Sequence, residues 1–430
     1  MVRVLGIFAL VSVLTASTLA QSGAIDSRVA SLVAAVSEER LQQVVQRLQS
    51  FETRHSLSST TSATRGIGAA RSWMLDEMTR ASSRLQVAFD TYRIPPQGAR
   101  IPREVEIANV MAVLPGRTPR RLYVSAHYDS VAPAPPASDP TVRDSLAPGA
   151  NDDGSGTAVV MELARVFGQS GIEFDATLVF IAFAGEEEGL VGAKLHAQHA
   201  DAAGVQVDAV VNNDIVGNMV GGNGLVDSES VRVFSEGPED SPSRQLARYI
   251  KRHAARYGPS HRVRLIARPD RFGRGGDHTA FNQHGFAAVR ITEANENFAR
   301  QHTEADTADG LSPPYLARNA RVNAAAIATL ALAPPAPQIA RLNRGNGYDA
   351  HLVWNASPGA TSYRVFWREA WTPDWEHELD VGNVTALTVP NLPIDDFVFG
   401  VAAVGAGGHE SLVSAYVNPP RARVDIKTLP

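Results

Sequence analysis

The sequence predicts an α/β protein, a mostly parallel or mixed central sheet covered by helices, followed by a small all-β sandwich. Three observations predict it. Apolar, β-branched runs alternate with helical patterns from Leu85 to about Ala333, as in a sheet with helices packed on its faces. The run from Thr177 to Ala184, TLVFIAFA, is apolar almost throughout, which fits a strand buried on both sides. Beyond the proline-rich joint APPAPQIARL the pattern changes to short strands separated by turn signals.

Taken in order, the chain opens with Arg3 ahead of an apolar stretch that ends in small residues near Ala20. That is the pattern of a secretory signal peptide over residues 1–20, and it predicts a secreted or periplasmic protein. The apolar core is short for a membrane span, and no later stretch is long and apolar enough for one. From Ile25 to about Arg80 the spacing is helical, in VASLVAAVSEERLQQVVQRLQSF and again in GAARSWMLDEMTRA, with the polar loop RHSLSSTTSATRG between them. Strands are expected at RLQVAFDTYRI, IANVMAVLPG, RLYVSAHYDS, TLVFIAFAG, VDAVVNNDIVG and FAAVRITE, and helices at GTAVVMELARVFGQS and SRQLARYIKRHAARYG. The expected division is a catalytic domain over 21–333, with its helical segment at about 25–80, and a β domain over 334–430.

Composition narrows the chemistry. The 430 residues carry a formal charge of -5 with no basic block, which gives no support to nucleic-acid binding. There is no cysteine, so disulfides, thiolate ligands and a cysteine nucleophile are excluded, and any metal site must use histidine and carboxylate.

Such residues gather at strand ends. His127 and Asp129 close RLYVSAHYDS, Asp152 and Asp153 precede a helix, Glu186 and Glu187 follow TLVFIAFAG, Asp214 ends VDAVVNNDIVG, and Asp277 and His278 precede the last strand. In a parallel sheet those ends share one edge, where ligands bind. Each motif alone has a plain alternative: a structural His-Asp pair, a helix cap at GANDDGSG, a solvated loop at Glu186 to Glu188. Asp214 is harder to dismiss, because a carboxylate in a buried strand needs a partner and no lysine or arginine lies near it in sequence. Together, two histidines and three carboxylates match the ligand set of a two-zinc site in which one carboxylate bridges. A glutamate beside a ligand glutamate is then placed as general base, since consecutive side chains on extended backbone diverge.

The motifs AHYDS, PGANDDGSG, FAGEEEGLVGA, NNDIVG and GGDHTAF, in this order, with IANVMAVLPG upstream and QHTEADT downstream, resemble the co-catalytic zinc aminopeptidases of the M28 type, related to bacterial leucyl aminopeptidase and aminopeptidase Y. The resemblance covers most of Leu85 to Ala333. It implies a zinc-dependent exopeptidase fold and two zinc ions, one held by His127, Asp152 and Asp214, the other by Asp152, Glu187 and His278. Asp152 bridges, Glu186 is the general base and Asp129 orients His127. Asp153 holds its loop, and Glu188 is read as a solvated charge. The substrates implied are peptides with a free N-terminus. Gly276 stands where a serine is common in that family.

The C-terminal segment, DAHLVWNASPGATSYRVFWRE followed by ALTVPNLPIDDFVFGVAAVGAGGHES, is similar to a fibronectin type III domain. Trp367, Trp371 and Trp375 are read either as a polymer- or surface-binding patch or as packing. The alternative functions are a single-zinc glutaminyl cyclase, a carboxypeptidase or dipeptidase of the same fold, favoured by Arg268, Arg271 and Arg274 if they meet a substrate carboxylate, and an inactive binding protein.

Overall fold

The computed structural model describes residues 25–133, 143–342 and 349–415; the expected signal peptide lies outside them. The helical N-terminal pattern is two helices, α1 (Ser27–Ala34) and α2 (Glu38–Gln49), followed by α3 (Gly66–Ala81). The break falls at Ser37, whose hydroxyl caps α2 by accepting from the Arg40 N–H at 3.2 Å, with Glu38 and Glu39 favourably placed in the first turn.

Eight strands then form one sheet: β1 (Gln86–Ile94), β2 (Val105–Leu114), β3 (Arg121–His127), β4 (Thr177–Phe183), β5 (Val207–Asn213), β6 (Ser230–Ser235), β7 (Arg262–Ile266) and β8 (Ala288–Glu293), in the order β1-β2-β4-β3-β5-β8-β6-β7. The centre, β4-β3-β5-β8, is parallel; β1 and β2 add an antiparallel edge, and β6 joins β8 antiparallel. The sequence pattern missed β6 and β7. Both are short, and arginines alternate with their apolar residues.

Burial explains the pattern. On β4, Leu178, Phe180 and Ala182 join one apolar cluster with the N-terminal helices, α4 (Gly154–Gln169), α6 (Pro242–Tyr257) and α8 (Pro313–Ala331). Val179, Ile181 and Phe183 join a second cluster on the opposite face, with α5 (Val191–Ala202) and α7 (Asp277–Asn282). A strand with period two and both faces covered has no polar side. The crossover β3-α4-β4 lies on the first face and β4-α5-β5 on the second, with β4 and β5 flanking β3. The connections therefore diverge at the C-terminal end of β3, which opens a crevice there. His127 is the last residue of β3.

The C-terminal segment forms two antiparallel sheets. One holds β9 (Ile339–Leu342), β10 (Ala350–Trp354) and β13 (Ala386–Val389); the other holds β11 (Ala360–Glu369), β12 (His377–Gly382), β14 (Phe397–Gly405) and β15 (Ser414–Ala415). Trp354, Tyr363, Val365, Phe399 and Val401 fill a shared core, an arrangement compatible with a β-sandwich. The three tryptophans do not share a patch. Trp371 is 72% exposed, Trp367 stacks on His377, and Trp375 lies beneath Arg248 and Arg368, against α6.

A buried ion cluster joins the two parts: Glu410 lies 2.7 Å from Arg364, 2.9 Å from Arg252 and 3.4 Å from His253. Burial alone would raise the Glu410 carboxyl, but His253, Arg252 and Arg364 outweigh it and hold it at about 2 against an ordinary 4.5. A depressed carboxyl contributes stability in full above about pH 4.5, and that contribution is lost as pH falls toward 2. Glu410→Gln is therefore expected to cost on the order of 3 kcal/mol at pH 7, with the difference from wild type closing below pH 4 in thermal melts. A gap that stays constant with pH would contradict this.

Among the described residues no helix is long and apolar enough to cross a membrane.

Candidate functional site

The crevice collects side chains from the end of β3 and from four loops, those after β3, β4, β5 and β8. The His127 ring projects from the strand end, with Nε2 3.3 Å from Asp152 Oδ1 and 3.9 Å from Asp214 Oδ1. The other oxygen of Asp152 lies 3.0 Å from Nε2 of His302, which is also 3.2 Å from Glu187 Oε1. One carboxylate thus faces an imidazole on either side. His127, Asp152, Asp214, Glu186, Glu187 and His302 line one cavity of about 750 Å³.

The sequence placed His278 beside Glu187, and here the structure differs. His278 is fully buried on α7, with Nε2 2.7 Å from the Pro269 carbonyl and 4.0 Å from Asp270. The imidazole that meets Asp152 and Glu187 belongs to His302, in the loop after β8. His302 adopts a left-handed backbone with φ of 54°. That loop is anchored by Asp306, which accepts from the N–H groups of Asn151 at 3.0 Å and Asp152 at 2.9 Å. Both residues belong to QHTEADT, a motif seen in the sequence whose histidine was given no role.

The remaining carboxylates serve the loops. Asp129 accepts from the main-chain N–H groups of Glu186 at 3.3 Å and Glu187 at 3.1 Å. Its own carbonyl lies 3.2 Å from His127 Nδ1, and its carboxylate 3.5 Å from that atom. Asp129 therefore orients the ring and shapes the glutamate loop together. That loop is a turn rather than extended backbone, closed by the Gly189 and Leu190 N–H groups donating to the Glu186 carbonyl at 2.8 Å each. Asp153 accepts from the N–H groups of His127, Gly156 and Ile215, so it ties the ends of β3 and β5 to the start of α4. Gly156 is required there: a Cβ would fall 2.2 Å from the Asn213 carbonyl.

Glu188 is not a solvated charge. Its carboxylate accepts from Ser56 Oγ at 2.6 Å and lies 3.4 Å from His55, with its side chain 3% exposed. The polar N-terminal loop thus packs against the glutamate turn, and its His55 lines the cavity. Arg54 holds that loop in place. Wholly buried, it donates to the carbonyls of Tyr128 at 2.6 Å, Pro148 at 2.6 Å, Gly149 at 2.7 Å and Leu48 at 3.2 Å. Burial lowers its pKa to about 10 against the pull of Asp306 and Asp129, so it remains a cation. Arg54→Met strands these carbonyls and is expected to cost roughly 3 kcal/mol or more; a melting temperature equal to wild type would refute that role.

Asp214 has the partner its buried position demands. Arg290, on the adjacent β8, lies 2.8 Å from Asp214 and 3.2 Å from Asp270. The charge balance is otherwise negative. Burial pushes the Glu186 carboxyl well above the usual range, against the pull of His127 and with Glu187 and Asp214 adding to the rise. Glu187 Oε1 is buried with only the His302 imidazole, at 3.2 Å, facing it. Asp152, Asp214, Glu186 and Glu187 with the imidazoles of His127 and His302 form the oxygen- and nitrogen-rich donor set that borderline divalent cations take. Two groups of three with metal-ligand spacing occur here, His127 with Asp153 and Asp214, and Asp152 with Glu187 and His302; Asp153 is already taken up by its three N–H donors, whereas Asp152 also lies 3.3 Å from His127.

The family description "Peptidase family M28" matches residues 109–327, a span that contains every residue of the cluster, and the chain belongs to that family. Over 428 residues, covering 90% of this chain and 84% of the relative, it is 38% identical to a "Probable zinc metalloprotease" of Pyricularia oryzae. A likeness of fold extends to the LapA aminopeptidase of Legionella pneumophila, with TM-score 0.55 at 22% identity over 71% of this chain and 74% of that one. It extends also to the glutaminyl cyclase of Porphyromonas gingivalis, with TM-score 0.54 at 18% identity over 67% and 96%.

Proposed function

We propose that this protein is an exported zinc exopeptidase that hydrolyses the N-terminal bond of peptides, with two metal ions in the crevice. His127, Asp152 and Asp214 would hold one ion, Asp152, Glu187 and His302 the other. The observation that carries the reading is Asp152, whose two oxygens face different histidines at 3.3 and 3.0 Å. Zinc bound there supplies Lewis-acid polarisation of the scissile carbonyl and a water acidic enough to be deprotonated near neutral pH. Glu186 accepts the proton of the attacking water at its carboxylate and delivers it to the leaving amine. Asp129 fixes both Glu186 and the tautomer of His127 through the contacts above. The carboxylate-rich floor favours a substrate ammonium group, which selects a free N-terminus and limits cleavage to the first bond. The N-terminal leader pattern supports export, and the C-terminal sheets are read as a fibronectin type III-like module docked on α6.

A peptide panel tests this. Release of single N-terminal residues from free peptides, blocked by N-acetylation, is the expected result. Ring closure of glutaminyl peptides with ammonia release would instead assign the cyclase reaction of some structural relatives, and release of C-terminal residues would assign a carboxypeptidase.

A further inference from the structure

We propose that the cavity above the metal centre recognises a carboxylate on its substrate through a cationic rim, so that the enzyme favours acidic peptides or peptides short enough to bring their own C-terminus to that rim. The inference deepens the exopeptidase reading and rests on it. The walls of the cavity carry Arg100, Arg143, Lys194 and Arg274 above the carboxylate floor. Its apolar lining is slight, Val131 and Leu190 being the largest aliphatic residues, with no phenylalanine, tyrosine or tryptophan among the lining residues. A bulky apolar side chain therefore finds little to pack against, unlike the usual apolar ligand pocket.

Two of the rim arginines, from loops of their own, hydrogen-bond to segments that carry proposed ligands. Arg100 donates to the Glu187 carbonyl at 3.4 Å. Arg274 donates to Gln301 Oε1 at 3.2 Å, one residue from His302, and lies 3.9 Å from Glu296, a carboxylate already held closer by Arg271 and Arg232. Lys194 lies in the first turn of α5, directly after the glutamate turn, with its N–H on the Leu190 carbonyl. Arg271 also lines the cavity, but Asp270 at 3.1 Å and Glu296 at 2.8 Å already neutralise it. Among the described residues Arg100, Arg143 and Lys194 form no ion pair with a carboxylate. In a chain whose net charge is -5, unpaired cations converging on one concavity focus a positive field on whatever enters it.

The test uses the full chain with zinc and pairs of substrates differing by one carboxylate. Leu-Leu against Leu-Leu-amide reads the C-terminal group; Glu-Leu-amide against Gln-Leu-amide and Leu-Glu-amide against Leu-Gln-amide read side chains. At least one acidic member is expected to be favoured about tenfold or more in kcat/KM, chiefly through KM. That ratio is expected to shrink with ionic strength, to collapse in Lys194→Gln, Arg143→Gln or Arg274→Gln, and to persist in Lys194→Arg. Hydrolysis with ratios near one in the wild type would overturn the inference and leave the exopeptidase reading intact. No hydrolysis of any pair would overturn both.

Discussion

Glu186→Gln is expected to lower kcat by about 10²- to 10⁴-fold, the range typical of a positioned general base, with metal content and melting temperature unchanged. The substitution keeps the shape of the side chain and removes only its capacity to take a proton. The turn that presents it is held by main-chain contacts, the Asp129 carboxylate on the N–H groups of residues 186 and 187 and the Gly189 N–H on the 186 carbonyl. None of these depends on the Glu186 carboxylate. Activity within tenfold of wild type, in protein with full metal occupancy, would remove Glu186 from the mechanism.

His302→Ala and His278→Ala separate the two assignments for the second ion. His302 sits between Asp152 and Glu187 at 3.0 and 3.2 Å, so its loss is expected to drop metal content from two ions toward one and to reduce kcat/KM by at least about 10²-fold. His278 lies against the Pro269 carbonyl with no exposure; its truncation is expected to cost roughly 1–3 kcal/mol of stability while both ions stay bound. The converse outcome, an ion lost with His278 and retained without His302, would restore the assignment drawn from sequence.

The central sheet was legible because its strands are buried on both faces, so TLVFIAFAG and RLYVSAHYDS carry nearly continuous apolar runs with chemistry only at their ends. That rule put His127, Asp152, Glu187 and Asp214 at one edge, and the structure brings them to one cavity. His302 was not, since it lies in an irregular loop where no periodicity marks a site, and the Asp277–His278 pair before a strand satisfied the rule in its place. Arg290 was missed as the partner of Asp214 because the two meet across neighbouring strands, 76 residues apart. Glu188 was read as a solvated charge, and Arg54 only as part of a polar loop, because nothing local reveals that this loop packs against the glutamate turn.

The central claim is that Asp152 joins two metal sites into one catalytic centre. Titrating metal-stripped protein with zinc, while following both bound metal and release of the N-terminal residue, tests it most directly. The account predicts saturation at two ions per chain with full activity, and partial or no activity at one. Saturation at a single ion, with full activity there, would contradict it.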